Sequence, residues 1–82
     1  MMKISKIIER KDVAQYLLKR NLLKQYKKAK KFILLGYFGF VNFKIREPKK
    51  DQIYYFRINK QFRALCYFEN GKLIVFKIDN HQ

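Results

Sequence analysis

Residues 53–79 alternate β-branched and aromatic positions with polar ones at a period of two, which predicts strands. Two turn signals, Asn59-Lys60-Gln61 and Asn70-Gly71, divide the stretch into three. Asn-Gly suits a two-residue hairpin because both central residues of a type I′ turn take positive φ. The expected antiparallel meander spans 53–58, 62–69 and 72–79. Side chains alternate across a strand. Tyr54, Phe56 and Ile58, then Phe62, Ala64, Cys66 and Phe68, then Ile74, Phe76 and Ile78 are expected on the core face. Tyr55, Arg57, Arg63, Tyr67 and Lys77 fall on the other face, together with His81 by the same parity. Two Arg, a Lys, two Tyr and the only His on one face predict a phosphate-handling surface.

Upstream the period changes. Ile4, Ile7 and Ile8 suggest a short edge strand within residues 3–8. Asp12 is the expected N-cap of a helix over 12–20, in which Val13, Tyr16 and Leu17 recur at helical spacing, and Asn21 is its expected left-handed terminator. A second helix runs from near Leu22 to Gly36. Leu22, Tyr26, Ala29 and Ile33, with Leu23 and Leu34, form its apolar stripe, and Lys24, Lys27, Lys28, Lys30 and Lys31 its basic face. That face is either solvated or serves general attraction of polyanions. Residues 37–52 are expected as a loop in which Lys44, Arg46, Lys49 and Lys50 interleave with Phe40, Phe43 and Ile45. Such a loop suits a nucleic-acid clamp, although Phe40 and Phe43 are expected to pack on the sheet. The fold class is α+β: a short N-terminal strand and a two-helix hairpin on a C-terminal meander, in one domain over 1–82.

Charge then narrows the partners. The net charge is +14. Residues 1–50 hold fifteen Lys and Arg against three acids, and the rest five against three. This field attracts nucleic acid or an acidic protein. The single Cys66 has no disulfide partner within the chain, and no apolar run suggests a signal peptide or a membrane span, so a cytoplasmic setting is expected.

The candidate chemistry is what remains after exclusion. One His and one Cys far apart do not make a metal cluster, and Glu47, Asp51 and Asp79 lack a spacing that would hold magnesium. No phosphate loop, dinucleotide fingerprint or Ser/His/Asp order is present. No metal and no cofactor are expected. Metal-free phosphodiester chemistry needs a proton-moving group and cations for the developing charge. His81 can move protons near neutral pH, and Arg63 and Arg57 can hold a phosphate. An RNA 2′-hydroxyl would supply the nucleophile. A terminal His without a role is the other reading of His81.

The segment Tyr55-Phe56-Arg57-Ile58-Asn59-Lys60-Gln61-Phe62-Arg63-Ala64-Leu65-Cys66-Tyr67 is similar to the Arg-Ile-Asn-x-x-x-Arg-x-x-Tyr segment of the YoeB branch of the RelE/ParE toxin superfamily. The order of elements and the separation of Arg63 from His81 also resemble that branch. The resemblance implies a ribosome-dependent mRNA endonuclease of a type II toxin–antitoxin system. Its partners would be mRNA on the ribosome and a cognate acidic antitoxin, with no membrane and no small-molecule cofactor. Arg63 matches the transition-state Arg, Arg57 a phosphate-contacting residue and His81 the proton-moving His, while Glu47 lies in the loop where the branch places a carboxylate base. The RNA-binding set would be Lys44, Arg46, Lys49, Lys50, Tyr55, Lys60 and Lys77. Gln82 stands where the branch ends in Tyr, and Tyr55 and Arg57 where RelE-like members carry paired Lys. Two alternatives remain: a ParE-like inhibitor that binds DNA gyrase without cleaving RNA, and a non-catalytic RNA- or ribosome-binding module.

Overall fold

In the computed structural model, which describes residues 4–80, two helices pack on one face of a five-stranded mixed sheet. The strands are β1 (Lys6–Glu9), β2 (Lys44–Ile45), β3 (Tyr54–Arg57), β4 (Phe62–Glu69) and β5 (Lys72–Asn80), in the spatial order β1-β5-β4-β3-β2. The helices are α1 (Lys11–Lys19) and α2 (Leu23–Leu34). The meander β3-β4-β5 is antiparallel as expected, and β1 lies parallel to β5 at the sheet edge. Asn70 and Gly71 take φ of 52° and 79°, the double positive φ that the tight hairpin requires.

Both helices stop in the same way. Asn21, at φ 58°, follows α1, and the Leu22 N–H donates back to the Leu17 carbonyl at 2.8 Å. Gly36, at φ 84°, follows α2, and the Tyr37 N–H donates to the Phe32 carbonyl at 2.8 Å. A left-handed residue just past the helix lets the chain fold back onto the last unpaired carbonyls. The start of α1 departs from expectation. Arg10 occupies the N-cap, without a side-chain cap, and Asp12 lies in the first turn. An acid there still meets the positive end of the helix dipole.

The core lies between the helices and one sheet face. Val13 and Leu17 of α1 and Tyr26, Ala29 and Ile33 of α2 are buried against Phe56, Ala64, Cys66, Leu73 and Val75. Leu34, expected in the stripe, is 45% exposed. A partly buried tie joins β1 to α2: the Tyr26 hydroxyl donates to Glu9 Oε2 at 2.7 Å, and Lys30 Nζ donates to the same oxygen at 3.0 Å. Lys30 is thus an anchor, unlike the exposed Lys24, Lys27, Lys28 and Lys31. Burial, with the Glu9 carboxylate second, pushes the Tyr26 hydroxyl well above the usual tyrosine range.

Two further expectations are corrected. The β5 core face is Leu73, Val75 and Ile78, not Ile74, Phe76 and Ile78. A register shift explains it: Leu65 pairs with Lys77 and Cys66 with Val75, so Phe76 is an extra residue in β5. One inserted residue exchanges the two faces of everything on its far side. Residues 37–52 are not a plain loop either. They contain β2, which pairs antiparallel with β3, and short 3₁₀ turns at Phe38–Val41 and Lys49–Asp51. Phe43 packs as expected, stacking on Tyr54 at 5.5 Å, whereas Phe40 is 72% exposed and meets Phe32 edge-on at 5.0 Å. Among the described residues no helix is long and apolar enough to cross a membrane.

Candidate functional site

Among the described residues no helix covers the second face of the sheet, and strand pairing sets its polar residues in rows. Lys44, Tyr55, Leu65 and Lys77 form one row across β2, β3, β4 and β5. Arg57, Arg63 and Asp79 form the next. The register of these rows depends on the turn between β3 and β4. There the Asn59 side-chain oxygen accepts the Gln61 and Phe62 N–H groups at 2.8 and 2.9 Å, and its amide donates to Gln25 of α2 at 2.8 Å. The Asn of the Arg-Ile-Asn segment is therefore a turn-forming residue that sets Arg57 opposite Arg63.

Arg63 is held on two sides. Its Nη2 donates to Asp79 Oδ2 at 2.8 Å, and its guanidinium carbon lies 4.7 Å from the centre of the Tyr55 ring. The head is thus positioned by an ion pair and a cation–π contact. Its Nε is buried without a hydrogen-bond partner among the described residues. The exposed Arg57 is its register partner on β3, and Arg57 also lines a cleft with Gln25, Lys28 and Phe32 of α2. Like charges directly opposite on adjacent strands repel, and an anion bridging the pair would relieve that repulsion.

The remaining expected residues distribute unevenly. Lys44, Tyr55 and Lys77 share the uncovered face with the Arg pair. Arg46 extends β2, its N–H donating to the Ile53 carbonyl at 2.7 Å. Lys60 lies in the turn near Arg57 and Arg63, while Lys49 and Lys50 lie beyond the opposite end of β3 in the 3₁₀ turn. Glu47 is exposed beside that turn. His81 follows β5 directly in sequence and lies outside the described residues. Among the described residues no three His, Cys, Asp or Glu side chains gather as a metal site would require.

Sequence reasoning missed three participants. Asp79, weighed in the sequence as a magnesium ligand, pairs with Arg63 once the β5 bulge sets the register. Arg10 lies near Phe76, its guanidinium carbon 5.9 Å from the ring centre. Phe76 itself was assigned to the core. The tyrosine of the resembling segment is also shifted: Cys66 stands three residues after Arg63, on the core face, and Tyr67 follows it on the uncovered face. Burial pushes the Cys66 thiol up to about 12, so it is an inert core group rather than a nucleophile. The chain matches no known family model and no curated protein.

Proposed function

We propose that this domain is a RelE/ParE-like toxin whose uncovered sheet face cleaves mRNA on the ribosome without a metal. The observation that carries the reading is the juxtaposition of Arg57 and Arg63, with Lys44, Tyr55 and Lys77 in the adjoining row. In the reaction an RNA 2′-oxygen attacks the adjacent phosphorus. The new 2′-O–P bond forms as the P–O5′ bond breaks, leaving a 2′,3′-cyclic phosphate and a 5′-hydroxyl. The proton leaves the 2′-hydroxyl and one is delivered to the departing 5′-oxygen. Arg63 and Arg57 hold the charge that builds on the phosphoryl oxygens, and the substrate phosphate takes the place of Asp79 on Arg63. His81 is the proton-moving group by its resemblance to the YoeB branch. An acidic antitoxin would oppose the positive field of the chain, which favours fast association with any polyanion. The cytoplasm is the setting this activity requires.

The test is expression from a tight promoter, with transcript 5′ ends mapped by primer extension minutes after induction. New ends inside translated regions are expected with the parent chain and not with Arg63→Gln or His81→Gln. One observation favours a second reading. Asp79 already occupies Arg63 at 2.8 Å, which suits a face that binds without cleaving, as in a gyrase inhibitor or an RNA- or ribosome-binding module. Arrested growth with intact transcripts would select the gyrase inhibitor. Normal growth with intact transcripts would select the binding module.

A further inference from the structure

The β5 bulge turns Phe76 away from the core and sets it against groups that the cleavage chemistry does not use. Tyr67 of β4 pairs with Ile74, and its ring centre lies 5.8 Å from that of Phe76 with the planes inclined at 45°. Neither ring is fully buried. The Arg10 guanidinium reaches to 5.9 Å from the Phe76 centre. Its backbone N–H donates to the Val75 carbonyl at 3.1 Å, which fixes Arg10 alongside β5 where β1 ends.

Arg10 and Tyr67 line an open cleft of about 470 Å³ with Asp51, Gln52, Ile53, Tyr54 and Phe68. Phe76 is outside that lining, meets Tyr67 and Arg10 beside it, and itself lines a second cleft next to α1. This volume is within the about 300–1,000 Å³ of clefts that hold small ligands. Partly exposed aromatic rings and a neighbouring cation suit a flat π-faced ligand. Asp51 in the lining disfavours a phosphate there and leaves the place to a base. Tyr67 is four residues from Arg63 on the same face of β4, roughly 13 Å along the strand. A single strand whose phosphate meets Arg63 therefore reaches this cleft with a neighbouring base.

We propose that Tyr67, Phe76 and Arg10 form a base-stacking subsite that seats one nucleobase of single-stranded RNA beside the Arg57–Arg63 phosphate site. The inference rests on the reading of this sheet face as RNA-facing, but not on cleavage. Stacking of this kind tolerates any base, because every base has a π-face.

The test is fluorescence anisotropy of the full chain with a labelled single-stranded 2′-O-methyl RNA dodecamer, which lacks the attacking hydroxyl. Tyr67→Leu and Phe76→Leu keep apolar bulk and remove the π-face, and circular dichroism with thermal unfolding checks that each variant folds. Each is expected to weaken binding at least about fivefold, the low end of base–aromatic stacking, with the salt dependence unchanged. Lys77→Gln is expected instead to reduce the slope of log K against log salt by about 0.7, one phosphate contact. An abasic strand should bind the parent chain more weakly and be indifferent to Tyr67→Leu. Parent-like affinity in both folded Leu variants overturns the subsite, even if transcripts are still cut. Stacking-dependent binding with uncut transcripts upholds it and removes the nuclease. Failure of the parent chain to bind the RNA overturns the subsite whatever the transcripts show.

Discussion

Phe56 and Tyr55 are neighbours on one strand and live in different surroundings. Phe56 faces α2, lies 6.0 Å from the Tyr26 ring and has no exposed surface. Tyr55 faces away from both helices, carries the Arg63 guanidinium on its ring and stays partly exposed. The same contrast repeats along β4, where the buried Ala64 and Cys66 alternate with the partly exposed Arg63 and Tyr67, with the buried Leu65 as the one apolar residue between them on the second face. Strand geometry delivers both sets at no extra length of chain. One face is committed to stability, and the other is left with charges and rings that stability does not demand.

Truncation on the two faces breaks or sharpens this contrast. Phe56→Ala should cost about 3–5 kcal/mol, the usual loss for a buried aromatic, while Tyr55→Ala should cost less than about 1 kcal/mol. Urea midpoints of the two variants decide it, and equal losses would erase the distinction.

Alkali should act on the covered face. The unfolded Cys66 thiol ionises near 9.0 and the folded one at about 12. From pH 9 upward the unfolded chain sheds a proton that the folded chain keeps. This contribution is complete below pH 9 and is lost at about 1.4 kcal/mol per pH unit as the pH rises toward 12. Tyr26, also raised, adds a loss of the same sign above pH 10. Urea midpoints between pH 8 and pH 11 should fall less steeply in Cys66→Ala than in the parent, and parallel curves would refute the assignment.

Tyr26→Phe removes one donor from the Glu9 carboxylate and should cost about 1.5 kcal/mol, as hydrogen bonds to charged groups do. Thermal unfolding at pH 7 measures it. The smallest stability change is expected on the uncovered face. Asp79→Asn should alter stability by less than about 1 kcal/mol, because the ion pair is partly solvent-screened, yet it should tighten polyanion binding by freeing Arg63. A variant that unfolds readily or binds RNA no better would place Asp79 among the structural residues.

Legibility in the sequence followed how strongly each feature is specified locally. Asn70-Gly71 marked its hairpin because few other pairs tolerate two positive φ values, and β4 was read with its observed boundaries. Asn21 and Gly36 marked helix ends for the same reason. The β5 bulge was hidden because Ile74, Val75, Phe76 and Ile78 are apolar at both parities, so no slip left a visible polar mismatch. The two-residue β2 offers no periodicity to detect. Asp12 resembles a cap in sequence, but backbone pairing of Arg10 with β5 sets the N-cap two residues earlier. The shared face of Tyr55, Arg57, Arg63 and Lys77 followed from alternation alone, whereas Lys44 joined their rows only through β2. The Arg10, Tyr67 and Phe76 cluster required the bulge.

The parallel contact of β1 with β5 has a consequence in time. Ser5 and Gly71 meet by a hydrogen bond across 66 residues of chain, and among the described residues β1 has no other strand neighbour than β5. During synthesis the first strand leaves the ribosome long before its partner, and non-local pairing of this kind forms late. Until β5 emerges, the β1 backbone groups lack their strand partner, and the rows of the uncovered face are missing Lys77 and Asp79. If the proposed action on translating ribosomes holds, this delay would keep a nascent chain from acting on the ribosome that is making it.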